Sequence, residues 1–265
     1  MYTPVQLASK YIRYYLGSSN SKGHGIHSPF VFDLVTRVLN DNRNFYIYES
    51  IERLRKELLN NATEITIEDF GAGSRIKQSP IRKVATIAAS SLKPKKFSQL
   101  LFRLVHHFAP STILELGTSL GITSSYLAAA NASARVVTME GSPAVATIAR
   151  SNFIQLGLTN IELVTGNFED TLAETLAGME QVDFAFLDGN HRYEPTIRYF
   201  NAVLEKSHAN TVIVLDDIHW SKEMEAAWEE VKKHPSVTLT VDLFYIGLVF
   251  LRKEQQEKQD FIVLF

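Results

Sequence analysis

The chain has 265 residues, is 45% hydrophobic and 21% charged, and carries a net charge of -2. That length can bury a sizeable core and suits one soluble domain with an N-terminal extension, or two small domains. The near-neutral balance argues against a generic nucleic-acid or membrane-surface binder, and the absence of cysteine removes disulfides, thiolate zinc sites and any cysteine nucleophile.

No apolar run approaches membrane-spanning length. The start, Met1-Tyr-Thr-Pro-Val-Gln-Leu, lacks the basic-then-apolar pattern of a signal peptide. The absence of cysteine favours a cytoplasmic setting, and neither membrane nor nucleic acid is expected as partner. Residues 4–16 have apolar positions near a 3.6 period and predict an amphipathic helix. After the break Gly17–Gly23, two histidines, His24 and His27, precede a helix with Ser28 as cap and Pro29 in its first turn. The histidines could meet an anionic group, but ordinary polar loop residues are the preferred reading. Glu49–Asn60 predicts another helix. Ile65–Ser74 resembles a strand followed by a glycine loop, Gly71-Ala72-Gly73, yet no β-α-β continuation with an acidic strand end follows. Residues 66–80 are therefore read as a loop able to close over an active site, and Ser79–Leu92 as helical. The stretch 1–95 reads as a mostly helical cap or substrate-recognition region.

From 96 to 253 the pattern changes. A helix over Phe97–Phe108, stopped by Pro110, leads into regular alternation of strands and helices, the mark of a parallel α/β sheet. The predicted strands are Thr112–Leu116, Arg135–Met139, Ile161–Thr165, Val182–Leu187 and Thr211–Leu215. Ser142, Pro143 and Gly157 punctuate one intervening helix. Val237–Leu243 and Leu248–Arg252 are joined by a link too short for a helix, so they pair antiparallel. The tail, 254–265, is polar and then wholly apolar from Phe261 to Phe265. Packing on its own chain is preferred over docking on a partner. A homodimer is compatible with the sequence, which does not fix the oligomeric state.

The stretch Ile113-Leu-Glu-Leu-Gly-Thr-Ser-Leu-Gly-Ile-Thr-Ser124 joins a strand end to a helix start through glycines. Glycine removes the Cβ that blocks close backbone approach, and the helix start offers N–H groups. The dinucleotide fingerprint G-x-G-x-x-G is absent. Instead Glu115-x-Gly117-x-x-x-Gly121 places an acid before the first glycine and widens the glycine gap. Glu140, at the end of the next strand and about 20 residues on, is positioned to accept from ribose hydroxyls.

This motif, with Glu140 and the closing hairpin, resembles the class I S-adenosylmethionine-dependent methyltransferases over about residues 97–253. The resemblance implies a Rossmann-like α/β fold of five parallel strands plus an antiparallel hairpin, seven strands in all. It implies S-adenosylmethionine bound by Glu115, Gly117, Thr118, Ser119, Gly121, Ile122, Thr123, Glu140 and Gly141. In that family the glycine loop holds the methionine part and the acid stands near its ammonium group. Asn167 and Phe168, after the third strand, would meet the adenine, and Asp188 also falls among the cofactor contacts.

Two further strand ends carry acids: Phe186-Leu-Asp-Gly-Asn-His-Arg-Tyr193 and Leu215-Asp-Asp-Ile-His-Trp220. Parallel strands bring such ends to one sheet edge, so Asp188, Asp216 and Asp217 are expected to converge. Clustered carboxylates call for positive charge, and oxygen donors suit Mg²⁺ or another divalent cation. An acid after the fourth strand and an acidic pair after the fifth look like the metal-dependent O-methyltransferases, the catechol and macrolide-sugar enzymes among them. The catechol enzyme's last ligand is Asn, whereas Asp217 stands here. The resemblance implies methyl transfer to a hydroxyl of a small molecule or sugar, with Asp188 and His191 catalytic, His191 as base and His219 as the alternative. Trp220, Tyr193 and Phe30 are candidates for an aromatic pocket. An acid after the fourth strand also occurs without metal, and Asp216 could cap a turn. A metal-independent methyltransferase therefore stays open, as does a noncatalytic cofactor-binding or assembly protein.

Overall fold

The computed structural model describes residues 1–19, 26–67, 81–254 and 257–265. His24 and the Gly71-Ala72-Gly73 loop lie outside them. The chain forms two compact units, one of residues 1–41 with 179–265, the other of residues 42–178.

The second unit begins with α3 (Tyr46–Leu59), preceded in the chain by α1 (Pro4–Gly17) and α2 (Pro29–Leu34) of the first unit. A short hairpin follows, β1 (Glu64–Thr66) antiparallel to β2 (Ile81–Lys83), then α4 (Val84–Ser91) and α5 (Lys95–Phe108). The pair adds two short strands to the mostly helical N-terminal region, and because β2 occupies Ile81–Lys83 the helix expected over Ser79–Leu92 starts, among the described residues, at Val84. Next come β3 (Thr112–Leu116), α6 (Ile122–Ala130), β4 (Arg135–Glu140), α7 (Pro143–Gln155), β5 (Ile161–Thr165) and α8 (Phe168–Ala177). The strands β3, β4 and β5 run parallel in that spatial order. Apolar β-branched runs make the strands: Ile113, Leu114, Val136 and Val137 are closed to solvent, as strands covered on both faces require. One cluster unites Ile47, Ile51 and Leu54 of α3, Ile87 of α4, Phe102 of α5, Leu120 of the glycine loop, and Ile122 and Tyr126 of α6. The N-terminal helices α3 and α4 are thus part of the core behind the glycine loop. A polar tie accompanies them: the Tyr126 hydroxyl donates to Glu52 at 2.8 Å, and Arg55 bonds both Glu52 oxygens.

The first unit contains α1 and α2, the latter running on as a π-helical turn over Val35–Leu39. It also holds β6 (Phe184–Leu187), α9 (Tyr193–Leu204), β7 (Val212–Asp216), α10 (Lys222–Lys233), β8 (Leu239–Asp242), β9 (Ile246–Phe250) and β10 (Gln259–Ile262). Strands β6 and β7 are parallel, β9 is antiparallel to β7, and β8 is antiparallel to β9, the hairpin the sequence called for. The tail adds a strand: β10 lies parallel to β8, so the seven strands expected, β3 to β9, are joined by an eighth. The fold is α/β, with mostly parallel strands. Ser28 caps α2 through the Val31 N–H at 3.4 Å. Ser142 occupies the N-cap position of α7, but its hydroxyl makes no cap bond. Among the described residues no helix is long and apolar enough to cross a membrane.

Candidate functional site

In the second unit Glu115, the glycine loop, Glu140, Gly141, Asn167 and Phe168 lie at the C-terminal ends of β3, β4 and β5, the edge where parallel sheets bind ligands, whereas Asp188 falls in the first unit. Gly117 takes φ 104° and donates its N–H to the Met139 carbonyl at 3.0 Å, as does Thr118. Gly121 takes φ 81° at the N-cap of α6. A Cβ there would come within 2.6 Å of the Phe153 ring, so only glycine fits. Ile122 and Thr123 open the helix and are buried. The Glu140 carboxylate accepts from Ser119 N–H at 2.8 Å and Ser142 N–H at 2.9 Å, which fixes its orientation beside the loop and Gly141. Gly166 donates to the Glu140 carbonyl, and the Asn167 side chain caps α8 at Glu169, leaving Asn167 and Phe168 half-buried. These contacts hold the end of β5 to that of β4.

Glu115 is fully buried. Its Oε2 accepts from the Ser124 hydroxyl and, at 2.6 Å, from Thr138; Thr138 in turn lies 2.6 Å from the Thr118 hydroxyl. Its Oε1 has no hydrogen-bond partner among the described residues. Burial pushes its pKa up to about 7, against the bonds from Ser124 and Thr138. Glu115 therefore ties β3, β4, α6 and the loop together from behind. Ser124 and Thr138 escaped the sequence reading; a hydroxyl nine residues after the acid, one turn into the helix, was the available signal.

In the first unit the register that pairs Leu187 with Leu215 makes Asp188 and Asp216 the next neighbours across β6 and β7. His191 joins them: one donor atom each from Asp188, His191 and Asp216 lies within 4.8 Å of the other two. His191 Nε2 is 3.5 Å from Asp188 Oδ1. Asp216 is 1% exposed. Asp217 is not in this group; its backbone turns left-handed at φ 53° directly after the strand. Two carboxylates and an imidazole so placed fit a divalent cation, and like charges this close, one of them buried, favour one.

His219 is committed elsewhere. Its Nδ1 pairs with Glu225 at 3.1 Å and its Nε2 with Asp242 at 2.7 Å, and the ring stacks on Phe244. Burial opposes its charged form, but the two carboxylates prevail and raise its pKa. With both nitrogens held, it is no general base. Glu225 also accepts from Tyr2 and Lys10, so this network ties α1 to α10. The pocket candidates Phe30 and Tyr193 serve packing: Phe30 sits edge-on to Phe250 under Arg252, and the Tyr193 hydroxyl bonds Glu230. Trp220 donates its backbone N–H to the Asp217 carbonyl at 2.9 Å, closing the turn after β7. His27 is exposed.

Residues 114–218 match the family model of a methyltransferase domain. The chain is similar in structure to the methyltransferase PaMTH1 of Podospora anserina, solved with SAH, at a TM-score of 0.61 and 13% identity, covering 96% of this chain and 98% of that one. It is likewise similar to an O-methyltransferase from Bacillus cereus in complex with SAH (TM-score 0.56, 22% identity, 79% and 92% covered). A third is the O-methyltransferase TomG of Streptomyces achromogenes, in complex with SAM (0.57, 19%, 84% and 95%). No curated protein matches in sequence. Residues 114–218 thus resemble a methyltransferase domain, and the chain shares the fold of these solved structures.

Proposed function

We propose that this chain is an S-adenosylmethionine-dependent O-methyltransferase that methylates a hydroxyl of a small molecule, with a divalent cation assisting. The observation that carries the reading is the Asp188–His191–Asp216 group at the ends of β6 and β7, in a chain whose other unit bears the glycine loop and Glu140. The residues of that loop fit the cofactor: Gly117 and Gly121 bring backbone close, Ser119 and Glu140 are already bonded to one another, and Glu140 supplies a carboxylate for ribose hydroxyls. Asn167 and Phe168 meet the adenine, Phe168 by stacking. When bound, the cofactor would supply an electrophilic sulfonium methyl for the acceptor oxygen, with S-adenosylhomocysteine as the leaving group and solvent taking the hydroxyl proton. Asp188 and Asp216 would hold a divalent cation, which would supply the charge that lowers the pKa of an acceptor hydroxyl. Asp188 and Asp216 orient the acceptor by fixing where that charge sits. Residues 1–95 select the acceptor, and the chain acts as a monomer or homodimer.

Calorimetric titration with S-adenosylhomocysteine, with and without a divalent ion, tests the reading together with transfer of labelled methyl from S-adenosylmethionine to a panel of catechols and sugar diols. Micromolar cofactor binding and methylation of at least one diol are expected, with Asp216→Ala lowering transfer about 100-fold or more. A folded protein that does not bind the cofactor overturns the proposal. Transfer that proceeds equally in metal-free buffer removes the cation from it.

A further inference from the structure

The group Asp188, His191 and Asp216 has so far acted as a unit; its geometry divides the labour, and the division rests on the function just proposed. His191 Nε2 stands 3.5 Å from Asp188 Oδ1. That is beyond the roughly 2.7–3.2 Å of an N–H···O hydrogen bond. It is an ion-pair distance that also suits two donors sharing one ion: atoms each roughly 2.0–2.2 Å from a metal stand roughly 2.8–3.6 Å apart at right or tetrahedral angles. Asp216, pinned by the β6–β7 register and buried, completes a set whose donor atoms lie within 4.8 Å of each other. The side chains of Asp188 and His191 keep 17% and 27% of their surface exposed, so one side stays open for acceptor oxygens. Asp217, the residue that strand-end logic would make the third ligand, stands outside the set at its left-handed turn.

We infer that His191 is itself a ligand of the ion, through Nε2, and that the site takes a first-row transition ion in preference to Mg²⁺. An oxygen–nitrogen–oxygen donor set is the reason. Mg²⁺ favours oxygen ligands and keeps much of its water, whereas imidazole suits Mn²⁺, Fe²⁺, Co²⁺ and Zn²⁺ and gains along the Irving–Williams order. A ring nitrogen whose lone pair is given to a metal cannot also accept the acceptor's proton. His191 is then not the base, and the preference among ions becomes a property of this loop.

The test uses the full chain, stripped of metal and titrated with Mn²⁺ alone. Pulsed electron paramagnetic resonance of the bound Mn²⁺ is expected to show coupling to ¹⁴N from a ligating imidazole. Mg²⁺ should displace Mn²⁺ only at an excess on the order of tenfold or more. In His191→Gln the ¹⁴N coupling should vanish and Mn²⁺ affinity fall about tenfold or more, with the circular dichroism melt unchanged; Asp217→Asn should retain both. Bound Mn²⁺ without ¹⁴N coupling in the unmodified protein overturns the inference, whatever the variant does, and returns His191 to the role of base. Absence of any Mn²⁺ binding overturns it too, and S-adenosylhomocysteine calorimetry on the same sample then tells whether the methyltransferase reading fails with it.

Discussion

Glu115 and Gly121 show how single residues set the glycine loop. The pKa of Glu115 rises from 4.5 to about 7 because burial strips water from its carboxylate faster than Ser124 and Thr138 replace it. A group whose folded pKa is raised adds stability in full below its unfolded pKa. That stability is lost as pH climbs to the folded value. Thermal melts of the unmodified chain should therefore fall between about pH 4.5 and pH 7 by an amount on the order of 3 kcal/mol. Glu115→Gln, neutral throughout, should flatten that slope, and an unchanged slope in the variant would show that Glu115 does not titrate there. At Gly121 a methyl would sit 2.6 Å from the Phe153 ring, on a backbone at φ 81°. Gly121→Ala should cost about 2–4 kcal/mol, overpacking and left-handed strain together, and weaken S-adenosylhomocysteine binding in calorimetry. Gly121 was legible from spacing alone. The burial of Glu115 was not, because it depends on Thr138 from another strand.

Elements repeat the lesson at larger size. The strands β3 to β7 and the β8–β9 hairpin announced themselves through apolar runs, punctuated helices and one short link. The tail did not: Phe261–Phe265 is visibly apolar, but nothing in it names β8 as its partner. Its docking is strong. β10 pairs with β8 over four residues, Val263 is fully buried, Tyr14 of α1 donates to the Val263 carbonyl, and Phe265 N–H donates to the Tyr14 hydroxyl. Removing residues 259–265 would strip the β8 edge and leave Tyr14 without its partners. Exposed strand edges template association. The shortened chain should thus unfold at lower denaturant and scatter light at concentrations where the full chain stays clear. Tyr14→Phe should reproduce about 1 kcal/mol of the loss without the scattering. Equal midpoints for full and shortened chains would mean that β10 is an ornament on the sheet.

At the scale of the whole molecule, the sequence divides one way and the fold another. Read along the chain, the change from helices to alternating strands near residue 95 marks off an N-terminal cap. Read in space, residues 1–41 belong with 179–265, and residues 42–95 with the glycine-loop unit. Periodicity reports which face of a helix is apolar but not which distant segment covers it. That is why the helices were legible and their allegiance was not. The same gap hid the network around His219, since Glu225, Asp242 and the Lys10 that bonds Glu225 come from three places in the chain. The consequence can be measured by deleting residues 1–41. A detachable cap would leave a stable, cofactor-binding protein. Here the deletion takes away Val31, Leu34, Val35 and Val38, each at most 1% exposed, together with Tyr14, and it uncovers Phe250 beneath Phe30. Burial of each such side chain stabilises by roughly 1.5–3 kcal/mol, so their joint loss rivals the roughly 5–15 kcal/mol that holds a domain folded. Residues 179–265 should then lose their cooperative melt and expose apolar surface to a fluorescent dye. The glycine-loop unit keeps its own core, from Ile51 to Tyr126, and hydrogen exchange should find it still protected. A deletion variant that melts within a few degrees of the full chain would restore the view of residues 1–41 as a cap.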